Sequence, residues 1–270
     1  MKFLNHLTFG QYVPAESLVH RLDPRCKILA VLVVLTGIFL ARHILVFAAW
    51  GGLLFSLAVL SHLPFRLVLR SAKPVLILVF FTAFIHVFFT DGTPLLEIGF
   101  ITITREGVSG AVYMGLRLLF LVLFASFLTL TTKPMELSDG LERLFSPFVR
   151  FGFPAHELAM MMTIALRFIP TLLDETDRIM KAQLARGAAF DRGNLWKRLK
   201  AFLPVLIPLF VIVFQRAEDL ATAMEARCYR GGEGRTRMHP LVWRTGDTLG
   251  ALCVLAIVAG LIVGDRSFLS

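Results

Sequence analysis

Two short motifs, Ala185-Arg186-Gly187 and Ala226-Arg227-Cys228, each place an arginine between small residues. The guanidinium of arginine is charged at every physiological pH, and its planar fork can bind a carboxylate through two parallel hydrogen bonds. The small neighbours allow another surface to approach the arginine closely. This combination predicts that both motifs dock on an acidic partner surface.

The two motifs belong to a weak internal repeat. Residues 177–187 align with residues 218–228, and each copy has an acid nine positions before its arginine. Each copy follows an apolar, proline-containing stretch and precedes helix-ending glycines, Gly187 in the first copy and Gly231-Gly232 in the second. A single arginine at a helix end is explained by the helix dipole alone. Two matching copies favour a shared function.

Several kinds of catalytic site are absent from the sequence. It contains no G-x-x-x-x-G-K-[ST] motif and no H-E-x-x-H motif, which excludes a P-loop for ATP and a zinc-protease helix. The three cysteines, Cys26, Cys228 and Cys253, have no spacing typical of a metal site or a disulfide framework. We therefore expect no catalytic residues, no cofactor and no metal.

The composition indicates a membrane protein. Hydrophobic residues make up 56% of the 270 residues and charged residues only 17%, against about 25% charged in soluble domains. The mean hydropathy is +0.73. The net charge of +9 indicates binding to anionic lipid or to an acidic protein surface before nucleic acid.

The apolar runs predict about five transmembrane helices. A span needs about 20 apolar residues, and residues 28–60 are too long for one span, so we expect a turn at Arg42-His43. The expected later spans cover residues 74–89, 108–130 and 248–263. Residues 1–22 lack the apolar core of a signal peptide. The internal apolar runs are thus expected to be retained.

The distribution of charge predicts the orientation. Loop 61–73 has three basic residues and no acid, whereas loop 90–107 has three acids and one arginine. The positive-inside rule places the first loop in the cytoplasm and the second outside. Residues 133–245, with 17 basic and 12 acidic residues, are expected to be cytoplasmic. The N-terminus is then cytoplasmic and the C-terminus extracytoplasmic.

Two further apolar runs, 158–169 and 201–214, lie inside this basic segment. Runs of 10–14 residues are typical of buried or interfacial helices, so we expect them to pack under the membrane domain. Pro170 is expected to kink the first helix. If residues 201–214 formed a single span, Arg186 and Arg227 would lie on opposite sides of the membrane, which conflicts with a paired role.

Two ionisable residues lie within predicted spans. His86 is near the external end of the third span, and Arg117 is about ten residues into the fourth. Intramembrane ionisable groups are candidates for transport, while a structural role is the alternative for both.

The stretch from Tyr12 to Lys27, YVPAESLVHRLDPRCK, resembles the N-terminal signature of the transmembrane T proteins of energy-coupling factor (ECF) transporters, the EcfT/CbiQ family. The similarity continues through LRFIP at 166–170, ARG at 185–187 and MEAR at 224–227. It covers nearly the whole chain in the expected order. Cys228 departs from the motif, which often has glycine there, so termination of the second helix is expected to shift to Gly231-Gly232.

The resemblance implies an all-α integral membrane protein with two long coupling helices. It divides the chain into N-terminal transmembrane helices (1–132), a cytoplasmic coupling domain (133–245) and a C-terminal transmembrane helix (246–270). Its implied partners are two cytoplasmic ABC-type ATPases, the A components, and a small substrate-binding membrane protein, the S component. It further implies that the two Ala-Arg-small motifs insert into grooves of the two ATPases, and that the transporter imports vitamins or metal ions. The signature is more similar to T proteins shared among several S components than to dedicated ones.

Two other classes of membrane protein, a stand-alone secondary transporter and an integral membrane enzyme, agree less well with the sequence. A stand-alone secondary transporter would have several ionisable groups at mid-membrane and paired broken spans, whereas these spans are almost free of charge. An integral membrane enzyme would have a cluster of catalytic residues at the membrane face, and the sequence has none.

Overall fold

The computed structural model of the chain describes residues 12–98, 101–188, 190, 194–231 and 241–267. The elements, in chain order, are α1 (Leu18–Arg21), α2 (Pro24–Leu40), α3 (Ile44–Leu60), α4 (Phe65–Ser71), α5 (Lys73–Phe89), β1 (Pro94–Ile98), β2 (Ile101–Thr104), α6 (Arg105–Thr131), α7 (Pro134–Phe145), a 3₁₀ helix (Ser146–Phe151), α8 (Ala155–Ala185), α9 (Leu195–Ala226) and α10 (Thr245–Ser267). Over these residues the protein is all-α apart from the small antiparallel pair β1–β2. The predicted fold class is confirmed.

The chain forms two compact units. The first consists of residues 10–140 and 240–270, and the second includes residues 141–239. The first unit contains α1 to α6, most of α7, and α10. The second contains the long helices α8 and α9.

The core of the first unit lies where α2, α3, α6 and α10 meet. Trp50 is fully buried there, with its ring edge-on to Phe124 at a centroid distance of 5.9 Å. Gly37 on α2 allows close approach, because a Cβ there would lie 2.7 Å from Val258 on α10. These contacts hold the helices together by burial of large apolar side chains.

The predicted turn at Arg42-His43 is confirmed, and a buried carboxylate holds it. Asp265, near the end of α10, accepts hydrogen bonds from the backbone N–H groups of Arg42 (3.1 Å) and His43 (2.9 Å). The free N–H groups before α3 are thus satisfied by a side chain distant in sequence.

Two elements were not expected from the sequence. Loop 61–73 contains α4, which is bent by 52° relative to α5. Loop 90–107 contains the β1–β2 pair, which has a shift in register between Pro94 and Leu96. Both segments are short, and their hydrophobic patterns do not distinguish them from polar loops.

Four helices of the described chain are long and apolar enough to cross a membrane, or five if α4 and α5 form one broken span. The four are α6, α8, residues 196–226 of α9, and residues 245–266 of α10. The apolar runs 158–169 and 201–214 lie within two of these four helices, and their packing under the membrane domain stays a prediction. Each run is part of a helix of 31 or 32 residues, and α8 continues through Pro170. Apolar length alone does not exclude either helix as a span.

Candidate docking ends of a helical hairpin

Helices α8 and α9 form an antiparallel hairpin. At one end, Gln183 near the end of α8 donates through Nε2 to the carbonyl of Pro204 near the start of α9 (3.3 Å). At the other end, the Tyr229 hydroxyl, just past α9, donates to Sδ of Met160 near the start of α8 (2.9 Å). The C-terminus of each helix therefore lies near the N-terminus of the other.

The end of α8 is a Schellman motif, in which a left-handed residue closes the last turn. Arg186 is the C-cap, and Gly187 follows with φ +89°. The N–H of Gly187 donates to the carbonyl of Leu184 (2.9 Å), and the N–H of Ala188 donates to that of Gln183 (3.0 Å). Glycine suits this position because it lacks the Cβ that makes φ > 0 costly.

The end of α9 has the same hydrogen bonds, with cysteine in place of glycine. The N–H of Cys228 donates to the carbonyl of Glu225 (2.8 Å), and the N–H of Tyr229 donates to that of Met224 (3.0 Å). Cys228 has φ +55°, in the left-handed region. The expected shift of termination to Gly231-Gly232 is therefore wrong. Gly231 also has positive φ, while Gly232 lies outside the described residues.

Both motifs are exposed over all three residues: Ala185, Arg186 and Gly187, and Ala226, Arg227 and Cys228. Within the described part of the chain, neither guanidinium takes part in a hydrogen bond or an ion pair. An arginine binds carboxylates through its N–H fork, and among the described residues no side chain occupies either fork.

The two motifs are far apart. Arg227 is two residues before Tyr229, which contacts Met160. Residues 160 and 186 are 26 positions apart along α8, or about 39 Å at 1.5 Å per residue. One partner groove cannot hold both arginines at this separation, whereas two separate grooves can.

The other candidates from the sequence lie in the first unit. Arg117 donates through Nη2 to the carbonyl of Ala41 (2.8 Å), the C-cap of α2, and lies over the ring of Phe39. This arrangement assigns it the structural role. His86 lies beside Gly110 on α6, and its Nδ1 is 3.5 Å from the hydroxyl of Thr90. Among the described residues, no group of three His, Cys, Asp or Glu side chains could hold a metal ion.

The N-terminal signature joins the start of α2 to the start of α10. Asp23 caps α2 by accepting from the N–H of Arg25 (2.9 Å). The N–H of Asp23 donates to the buried carboxylate of Asp247 (2.7 Å), which also accepts from the N–H of Arg244 (2.7 Å). Arg25 donates to the carbonyl of Leu241 (3.0 Å). One carboxylate thus caps two helix starts that are more than 200 residues apart.

A buried ammonium group completes the signature. Lys27 is 6% exposed, and its Nζ donates to the carbonyls of His20 (3.0 Å) and Thr131 (3.2 Å). It thereby ties α1 to the end of α6. Burial, and then the nearby positive charge of Lys27, lower the pKa of the His20 imidazole. These contacts could not be predicted from the sequence, because nothing in the spacing links residues 27 and 131.

Comparison with known proteins decides the family. A family model described as CbiQ, cobalt transport protein, matches residues 15–239. The chain belongs to this family. It is 57% identical over 267 residues to the energy-coupling factor transporter transmembrane protein EcfT of Thermanaerovibrio acidaminovorans, covering 99% of both chains. The EcfT of Acidaminococcus fermentans is 56% identical over 254 residues, covering 94% of this chain and 95% of its own. That of Bacillus subtilis is 44% identical over 260 residues, covering 96% and 98%.

The CbiQ/EcfT assignment confirms the resemblance carried by the signature and the two arginine motifs. This family supplies the transmembrane component of ECF transporters. The apolar helices of the described chain agree with a multi-pass membrane protein.

Proposed function

We propose that the chain couples ATP hydrolysis by partner proteins to substrate import. In this role it is a non-catalytic subunit of an ECF-type ABC importer in the prokaryotic cell membrane. Arg186 and Arg227 each dock on a separate cytoplasmic ATPase, and a small membrane S component binds the vitamin or metal ion. The supporting observation is that two helix ends closed by the same pattern of backbone hydrogen bonds, about 39 Å apart, each display an exposed arginine.

The docking contacts are expected to be strong. Truncating one partner of a buried, hydrogen-bonded charge pair costs about 2–5 kcal/mol, because the other charge remains buried without a partner. At 1.4 kcal/mol per tenfold, this is roughly 30-fold to several thousand-fold in affinity at one end. Two such ends on one chain also add through avidity.

The docking role requires the hairpin to lie along the cytoplasmic surface of the membrane. In that position both ends face the same compartment, with the N-terminus cytoplasmic and the C-terminus extracytoplasmic. In this placement the hairpin has exposed apolar side chains that lipid or another protein must shield from water. Phe210 and Phe214 on α9 are 60% and 70% exposed. The membrane interface and the S component are suited to cover them.

The test is substitution of each arginine, followed by pull-down of the ATPases and a substrate uptake assay in cells. Arg186→Ala and Arg227→Ala are each expected to weaken assembly and uptake, and the double substitution to release the ATPases. Arg→Lys should restore only part of the binding, since lysine lacks the fork.

The matched control is Arg178→Ala on α8. Its side chain is 80% exposed and makes a 3.7 Å ion pair with Glu175, a type of contact worth little. This variant should assemble normally. If the double variant at Arg186 and Arg227 also assembles and transports normally, both motifs are ordinary helix ends and the proposal is wrong.

A further inference from the structure

The end of α9 is connected to α7 by a chain of side chains, and the described residues show no such connection at the end of α8. Tyr229 is the last residue of the Schellman motif that contains Arg227. Its hydroxyl lies 3.4 Å from Nε2 of His156 and 2.9 Å from Sδ of Met160. Nδ1 of the same imidazole lies 3.0 Å from a carboxylate oxygen of Glu142 on α7. The imidazole thus bridges a carboxylate on α7 and the residue that closes the last turn of α9.

This contact is partly buried, which strengthens it relative to a surface pair. The side chains of His156 and Glu142 are 27% and 15% exposed. A hydrogen bond in such surroundings is less screened by water than one between fully exposed groups. The 73 residues between His156 and Tyr229 make it a tertiary contact, so it constrains where the end of α9 lies.

The contacts at the other end are of a different kind. The segment after Arg186 is held by a tilted contact between the rings of Phe190 and Phe202, with centroids 5.2 Å apart, and by Arg198 donating to the carbonyl of Phe190 (3.4 Å). These contacts hold the connection between α8 and α9. They do not reach α7.

We propose that Tyr229, His156 and Glu142 are positioning residues that hold Arg227, and not Arg186, in place for its partner. The proposal rests on the proposed docking function. Because Arg227 precedes Tyr229 by two residues, fixing the tyrosine ring fixes the backbone from which the guanidinium extends. We call the contacts from Tyr229 through His156 to Glu142 the tether. Loss of the tether leaves Arg227 present but allows it to occupy orientations that do not dock. Docking must then order Arg227 and its backbone, and the conformational entropy lost in doing so weakens binding.

The experiment is a pair of double-mutant cycles on the full chain, with affinity for the ATPases as the readout. Tyr229→Phe removes only the hydroxyl, and His156→Ala tests the same tether from its other side. In an Arg186→Ala background, binding depends on the second end, and either change should weaken affinity about two- to tenfold, as expected for one hydrogen bond. In an Arg227→Ala background, neither change should have an effect, because no arginine remains to be positioned.

Tyr113→Phe, on α6 in the first unit, is the matched control and should leave affinity unchanged in both backgrounds. Equal losses from Tyr229→Phe in both backgrounds would show a general structural role and overturn the inference. No loss in either background would overturn it as well. If Arg227→Ala alone leaves affinity unchanged, the docking function itself fails and the inference fails with it. If Arg227→Ala weakens binding while the cycles are additive, only the inference fails.

Discussion

The two ends of the α8–α9 hairpin should be accessible from the same side of the membrane. Cys228 is a native, exposed thiol beside Arg227. Gly187→Cys places a second thiol at the equivalent position beside Arg186. This substitution is tolerable, because Cys228 already adopts the same left-handed conformation with φ +55°. Replacing Cys253 with serine removes the other exposed thiol of the described chain.

The length of the hairpin distinguishes a hairpin that crosses the membrane from one that lies along its surface. The ends are about 39 Å apart along the hairpin, and the hydrocarbon core of a bilayer is about 30 Å thick. A hairpin that crossed the membrane would therefore place its ends in different compartments. A hairpin lying along the surface would keep both in the cytoplasm.

The assay is labelling by a membrane-impermeant maleimide, with one reporter thiol at a time. For the Gly187→Cys reporter, Cys228 is replaced with serine. In intact cells neither reporter should react, and after permeabilisation both should react. Co-expressed ATPases should protect both reporters. Labelling of either reporter from outside an intact cell would refute the surface placement and, with it, a shared role for the two arginines.

Three further results are expected. Gly37→Ala should lower the free energy of unfolding of the purified chain by about 1–3 kcal/mol, because the new Cβ would lie 2.7 Å from Val258 and 2.9 Å from Trp50. Gly260→Ala is the control, because a Cβ there has nothing within 4 Å. Equal melting temperatures for the two variants would contradict the packing around Gly37. Cys228→Gly should raise the free energy of unfolding of the purified chain by up to about 1 kcal/mol, since left-handed strain of about 1–2 kcal/mol is relieved against the greater flexibility of glycine; a lower melting temperature would contradict this. The purified chain alone should hydrolyse no ATP above a mock-purified control, because it lacks a P-loop.

Much of the helical architecture was predictable from local signals. Asp23-Pro24 marks the start of α2, and the polar pair Arg42-His43 marks the break before α3. The repeated Ala-Arg-small pattern located both helix ends, because the residues that close a helix lie within one turn of its end. These features depend on a few neighbouring residues, which a sequence displays directly.

The contacts that position the site were not predictable in the same way. Asp247 and Lys27 bind backbone groups more than 100 residues away, and nothing in their spacing indicates it. Pro170 was expected to kink α8, and the helix is continuous through it from Ala155 to Ala185. Proline removes one backbone hydrogen bond inside a helix, and contacts at both ends of the hairpin hold the helix on either side of it.

The hairpin also accounts for the proposed binding of two similar partners by a chain that is not symmetric. Antiparallel helices with the same C-terminal motif present that motif once at each end, facing apart. The chain nevertheless enters and leaves the two ends differently, so their surroundings cannot match. One end has glycine at the left-handed position and an aromatic contact through Phe190, while the other has Cys228 and the tether through Tyr229.

The second end is held to α7, so movement imposed there reaches another helix through side chains as well as through the backbone. We therefore expect substitutions at Arg186 to act mainly on assembly, and those at Arg227 to reduce uptake further than their effect on assembly alone. Comparison of pull-down and uptake for the two single variants measures this difference, and proportional losses in both variants would contradict it.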